Sequence, residues 1–213
     1  MEVILWDWDN TLVDTLELVR HALNAALEEY NLPLLTSEQM NEIIHCSGKQ
    51  IFAEFFPNHD FHEVSSVYSK HYQKDLYKLQ LIPGAMEILK WTKEKGFTNI
   101  LASSKKHTIL RQEAEISGLI DYIDNICGRE QFSENKPSKV FTDAALANFK
   151  DYHRLFVVGD GVEDILMARN YENATAILMR TDPKRKEFEK NQPDFFVTNL
   201  MELKKYLDKS ECE

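Results

Sequence analysis

Cysteine is scarce. Cys46, Cys127 and Cys212 are odd in number, far apart and form no Cys-x-x-Cys pair. That pattern argues against a zinc site and against a disulfide framework, and it fits a reducing, cytoplasmic setting. No apolar run is long enough to span a bilayer. No basic N-terminal stretch is followed by a long apolar segment, so no signal peptide is expected. Internal repeats and low-complexity tracts are missing as well. Positive charge is in deficit: 25 Lys and Arg face 35 Asp and Glu, a formal net charge of −10. A chain so acidic has no general affinity for nucleic acid or anionic membrane. If it handles phosphate, lysines or a metal must stand at the site itself. None of these features sets an oligomeric state.

What is present is an ordinary globular composition. Of 213 residues, 43% are hydrophobic and 28% charged, enough for one large domain or a main domain with an insertion. After residue 82, short apolar runs alternate with amphipathic stretches. Helices are expected over 85–94, 107–117, 138–148, 163–170 and 200–207. Strands are expected at 99–103, 122–127, 155–158, 175–179 and 195–197, besides a first strand at 3–6. Strands alternating with helices imply a parallel sheet covered on both faces. The segment 15–80 differs. Leu16, Val19, Leu23, Ala26, Leu27 and Tyr30 recur at helical spacing, and Thr36-Ser37-Glu38-Gln39 fits a capping box. Residues 52–56 and 64–79 also read as helical, and no strand stands out. The segment reads as a helical subdomain inserted after the first strand.

The first apolar run ends in Asp7-Trp8-Asp9-Asn10-Thr11. In extended backbone, residues i and i+2 point the same way, so both acids would face one place. Close carboxylates repel, and a hard cation such as Mg²⁺ resolves that repulsion. Thr11 adds a hydroxyl donor for an anion. The same residues would also serve as an Asx-rich turn with Thr11 as a helix cap.

Ligands of an open parallel sheet bind beyond the carboxyl ends of its strands, so the other strand ends matter. One ends in Ser103-Ser104-Lys105, where Ser103 offers a hydroxyl to a phosphoryl oxygen or an N-cap to a helix. Another ends in Gly159-Asp160-Gly161, followed by Glu163 and Asp164. Asp160 would complete a cation's oxygen shell, with Asp164 in or behind it; the alternative is a turn whose acids favour a helix start. Asn135-Lys136-Pro137 lies in a loop, and Lys136 would neutralise phosphate there or be solvated.

Asp-x-Asp-x-Thr, a strand-end Ser, Lys-Pro and Gly-Asp-x-x-x-Asp, in that order, resemble the haloacid-dehalogenase-like phosphohydrolase superfamily over nearly the whole chain. Pro83-Gly84-Ala85, Gly96 and the insertion after the first motif look like its phosphoglycolate-phosphatase-like branch with an α-helical cap. The resemblance implies an α/β fold: a doubly wound, Rossmann-like core of residues 1–14 and 81–213, with the cap at 15–80. It also implies Mg²⁺-dependent hydrolysis of a small phosphorylated metabolite through an aspartyl-phosphate. Asp7 is then the nucleophile and Asp9 the general acid/base. Thr11, Ser103 and Lys136 bind phosphate. Asp7, Asp160 and the Asp9 backbone carbonyl hold the metal, supported by Asp164. Asn10 stands where many members have Gly, and Asn tolerates the left-handed conformation.

Within the superfamily, dehalogenases lack the second acid, so Asp9 favours phosphate chemistry. A phosphomutase would carry a His on the first cap helix, where spacing places Val19, with Arg20 and His21 beside it. A phosphonate hydrolase would need a Schiff-base lysine in the cap, for which Lys49 is the candidate. A non-catalytic regulatory or binding module with the same fold is the remaining alternative, against which the complete set of acids and Lys136 counts. In the cap, 45–50 interrupts the helical pattern. Gly48 suggests a bend or a close approach, and Lys49 beside it is either a reader of an anionic leaving group or a solvated lysine at a helix start.

Overall fold

Val3, Ile4, Leu5 and Trp6 are fully buried in a computed structural model that describes residues 1–43, 48–179 and 188–210. They form strand β1 (Glu2–Trp6). A strand apolar on both faces belongs inside a covered parallel sheet. Burial of each such side chain contributes about 1.5–3 kcal/mol. β1 pairs in parallel with β4 (Thr98–Lys106) on one side and β6 (Arg154–Gly159) on the other. β5 (Asn125–Arg129) continues the sheet beyond β4, and β7 (Ala174–Met179) and β8 (Phe195–Val197) continue it beyond β6. The order is β5-β4-β1-β6-β7-β8, parallel throughout. The chain therefore builds outward from β1 first one way and then the other. That makes the carboxyl end of β1 the topological switch point, where adjacent connections diverge and leave a crevice.

The connecting helices are α5 (Ala85–Glu94), α6 (His107–Ile116), α7 (Lys139–Ala145), α8 (Val162–Ala168) and α9 (Leu200–Ser210). One core cluster joins Val3, Leu5, Ile100, Phe141, Val157 and Phe188. The alternating α/β reading is met, with local shifts. The stretch expected to begin a strand at residue 122 is a 3₁₀ turn, Leu119–Tyr122, and the strand starts at Asn125, where pairing with Ile100 begins. Gly118, at φ +72°, turns the chain out of α6, and Leu119 buries at once, so the apolar signal precedes the strand. β4 runs past Ser103 to Lys106, with an irregular register beyond Ala102.

The chain divides into two compact units, Met1–Val13 with Leu81–Glu213, and Asp14–Gln80. The crossings between them are the two-residue strands β2 (Val13–Asp14) and β3 (Gln80–Leu81), which pair with each other and were not visible in the hydrophobic pattern. The second unit holds α1 (Leu16–Glu29), α2 (Ser37–Ile43), α3 (Gly48–Phe55) and α4 (Phe61–Lys74). Its core includes Leu23, Ala26, Leu27, Phe52, Phe56 and Val64. The capping box closes both ways: Gln39 N–H donates to Thr36 Oγ1 at 3.2 Å, and Thr36 N–H donates to Gln39 Oε1 at 2.9 Å. Among the described residues, no helix is long and apolar enough to cross a membrane.

Candidate active site

The Asp7 N–H donates to Val158 O at 2.8 Å, extending the β1–β6 ladder one residue beyond the strand. The chain then turns sharply. Trp8 O accepts from the N–H groups of Thr11, Leu12 and Val13 at 3.3, 3.0 and 3.2 Å, and Asn10 adopts φ +55°. Asparagine is among the few non-glycine residues that hold this conformation cheaply. Trp8, between the two acids, is fully buried.

The two acids acquire different partners. Lys136 Nζ lies 3.0 Å from Asp7 Oδ1, pairs closely with Asp164 Oδ1, and donates to Ala102 O at 3.2 Å. Asp7, Asp160 and Asp164 each offer a carboxylate oxygen, and these lie within 4.8 Å of one another. Asp164, in the first turn of α8, also accepts from Gly161 N–H at 3.0 Å through Oδ2. A Cβ on Gly159 would fall 2.0 Å from Asp164 Cγ, so the glycine makes room for that acid. Burial pushes the Asp7 carboxyl up to about 8; Lys136 opposes the rise, and Asp164, Asp160 and Asp9 add to it. Burial works to lower Lys136, but Asp164 and Asp7 outweigh it and hold the ammonium above its ordinary value.

Asp9 is held on the other side of Trp8. Lys105 Nζ donates to Asp9 Oδ1 at 2.8 Å and to Glu113 Oε1 and Oε2 at 2.9 and 2.7 Å. Trp8 Nε1 donates to the same Glu113 Oε2 at 2.5 Å. Glu113 sits on the buried face of α6 with Leu110 and Ala114. Neither Lys105 nor Glu113 was singled out from the sequence as a functional residue. The readable signal was an acid at i+3 from Leu110, on the stripe that faces the core.

Ser103 is buried within β4, at the start of its irregular stretch and three residues short of its end, and accepts from Lys105 N–H at 3.2 Å. Thr11 is fully buried, and its hydroxyl oxygen makes no hydrogen bond among the described residues. The structure thus brings Asp7, Asp160, Asp164 and Lys136 together, while the Asp9 carboxylate joins Lys105. Lys49 belongs to the helical unit, where it is exposed in the first turn of α3. Gly48 is part of the same turn, and an added Cβ there would meet nothing within 4 Å among the described residues. His45, Cys46 and Ser47 of that segment lie outside the described residues.

Residues 4–178 match the haloacid dehalogenase-like hydrolase family. The chain is 26% identical over 210 residues to a phosphoglycolate phosphatase of Aquifex aeolicus, covering 98% of this chain and 97% of that one. It is also 26% identical over 204 residues to the pyrophosphatase PpaX of Listeria welshimeri, covering 94% and 93%. A haloacid dehalogenase-like hydrolase from Streptococcus pneumoniae superposes with a TM-score of 0.83 at 19% identity, over 96% and 97% of the two chains. The protein belongs to the haloacid dehalogenase-like hydrolases. Within them it falls in the phosphoglycolate-phosphatase-like branch, among phosphatases.

Proposed function

We propose that this enzyme hydrolyses a small phosphomonoester through an aspartyl-phosphate on Asp7, with Mg²⁺ as cofactor. The observation that carries the reading is the convergence of Asp7, Asp160, Asp164 and Lys136 at the switch point of the sheet. The donor set fits the metal: clustered carboxylate oxygens without His or Cys suit a hard cation. Asp7, Asp160 and the Asp9 backbone carbonyl would hold Mg²⁺, with Asp164 supporting, and the ion would offset charge on the phosphoryl oxygens. The Thr11 hydroxyl, unsatisfied among the described residues, would donate to the phosphoryl group in this reading.

In this reading Ser103, Thr11 and Lys136 orient the phosphoryl group. Asp7 attacks phosphorus in line, forming an Asp7–phosphorus bond as the bond to the leaving oxygen breaks. Asp9 protonates that oxygen, so the first product departs as an alcohol. Asp9 then takes a proton from water, whose oxygen attacks the same phosphorus. The Asp7–phosphate bond breaks, releasing inorganic phosphate and restoring both acids. Lys136 faces both Asp7 and the transferred group, so one ammonium serves each state. Lys49 is the residue of the helical unit proposed to read a second anionic group on the substrate.

The test is hydrolysis of a chromogenic phosphomonoester by the full chain. Activity should vanish with EDTA and return with Mg²⁺. Full activity after exhaustive chelation would rule the reading out, as would a lack of hydrolysis with Mg²⁺ present.

A further inference from the structure

We infer that Glu113 is a positioning residue: with Trp8 it fixes Lys105, and Lys105 sets the direction of the Asp9 carboxylate. The inference rests on the phosphatase reading, in which Asp9 moves protons, and adds to it the device that aims Asp9.

Four residues form a closed ring of contacts. Trp8 Nε1 donates to Glu113 Oε2 at 2.5 Å, both Glu113 oxygens accept from Lys105 Nζ at 2.9 and 2.7 Å, and Lys105 Nζ donates to Asp9 Oδ1 at 2.8 Å. Asp9 is then joined through the backbone to Trp8, where the ring began. The members lie on separate elements: the turn after β1, the end of β4 and the middle of α6. Side-chain exposure falls steadily along the chain of contacts, from 34% at Asp9 through 13% at Lys105 to 0% at Glu113. The reacting end is therefore open to a ligand, and the anchoring end is locked in the core.

That ordering is what positioning requires. A carboxylate on a turn keeps side-chain freedom, and general acid catalysis needs one of its oxygens aimed at the leaving atom. Lys105 alone would not supply an aim, because its stem is long and rotatable. Two contacts to a carboxylate that is itself held by an indole remove that freedom. An apolar side chain at position 113 would satisfy the core beside Leu110 and Ala114, whereas a fully buried glutamate is costly unless its oxygens are satisfied. Here they are satisfied by Trp8 and Lys105, the residues that lead to Asp9.

The experiment compares two esters whose leaving groups need protonation to different degrees. The glycerol of β-glycerol phosphate leaves as an alkoxide unless protonated, whereas the p-nitrophenolate of p-nitrophenyl phosphate leaves without help. The kcat/KM values of the parent, Glu113→Gln and Glu113→Asp enzymes are measured on both with Mg²⁺. Glu113→Gln should lower kcat/KM on the alkyl ester about tenfold or more, a part of the roughly 10²–10⁴-fold that general acid–base catalysis supplies, and on the aryl ester less than about threefold. Glu113→Asp should recover most of the difference. If Glu113→Gln does not fold, Lys105→Met/Glu113→Gln, which removes the buried charge together with its partner, should show the same selectivity. Equal losses on the two esters, or none, would overturn the inference while an active parent leaves the phosphatase reading standing. A parent inactive on both esters would overturn both. A second readout needs no catalysis. In metal-free protein the Trp8 indole N–H resonance, assigned with Trp8→Phe, should move in Lys105→Met. An unmoved resonance would mean that Lys105 and Glu113 are not coupled, and the inference would fall.

Discussion

Lys136, buried, and Lys105, mostly buried, both stand near the carboxyl end of β1, yet they are held in different company. Lys136 contacts Asp7 and Asp164 where three carboxylates converge. Lys105 bridges Asp9 to Glu113, and an indole donor ties Glu113 down. The first region carries more acid than its lysine offsets, and the Asp7 carboxyl is raised to about 8, by burial first. The second is closer to balance, and its acids grade from part-exposed to fully buried. The difference teaches which region is built for a ligand. A cluster left short of positive charge suits a cation, whereas a cluster nearer balance suits the fixing of geometry.

The largest expected effect tests the first region. Asp7→Asn should lower turnover by roughly 10³-fold or more, because an amide does not attack phosphorus. The same change should raise the melting temperature of metal-free protein at neutral pH. The sign follows from the raised carboxyl. Between the ordinary Asp value and about 8, the folded state binds a proton that the unfolded state has released, so stability falls as pH rises through that window. The gain should be about 2–4 °C for each kcal/mol relieved. Near-normal activity in the variant would remove Asp7 from the chemistry, and a lower metal-free melting temperature would count against the charge cluster.

The second prediction sets the lysines against each other in metal-free protein. Lys136→Met should cost about 3–5 kcal/mol of stability, because it leaves Asp7 and Asp164 buried without a counter-charge. Lys105→Met/Glu113→Gln, which removes the buried glutamate's charge together with its lysine, should cost less, about 1–3 kcal/mol, because the remaining acid, Asp9, is 34% exposed and can be hydrated. Equal losses in chemical denaturation would dissolve the distinction between the regions. Adding Glu113→Gln to Lys105→Met should cost less than the two single changes summed, as contacting residues are not additive.

A third, smaller effect concerns space rather than charge. Gly159→Ala places a methyl 2.0 Å from Asp164 Cγ, and displacing that acid should cost about 1–3 kcal/mol and weaken Mg²⁺ binding by calorimetry. Unchanged Mg²⁺ affinity would show that Asp164 does not support the metal. The smallest expected effect falls on Lys49, which is exposed, unlike Lys136 and Lys105. Lys49→Glu should raise KM severalfold for a substrate with a second anionic group and leave a singly charged aryl ester nearly unchanged. Identical behaviour on both substrates would return Lys49 to the solvated surface.

Much of this was legible in the residues. Val3 to Trp6 read as a buried strand because a strand covered on both faces has no polar side to show. The α/β alternation followed from runs of the right period, and Ala85–Glu94 ended where Gly96 allows it, at φ +86°. Thr36 and Gln39 announced their capping box because both partners lie within one turn. Asn10 takes the left-handed conformation that asparagine tolerates.

Whatever depends on contacts within a few residues of the chain was therefore determined by the sequence itself: strand and helix identity, the turn after β1 and the presence of acids at strand ends. Tertiary structure decided the partners. Nothing in the spacing of Lys105 and Glu113, eight residues apart, says that both meet Asp9 and Trp8 some hundred positions earlier. Nor does the pattern of residues 159–164 say that Gly159 is there to seat Asp164 beside Lys136. The short β2–β3 pair was equally silent, since two residues carry no period. Each of these is a long-range or steric relation, fixed only when the parallel sheet places β4, β1 and β6 side by side and brings their carboxyl ends to one edge.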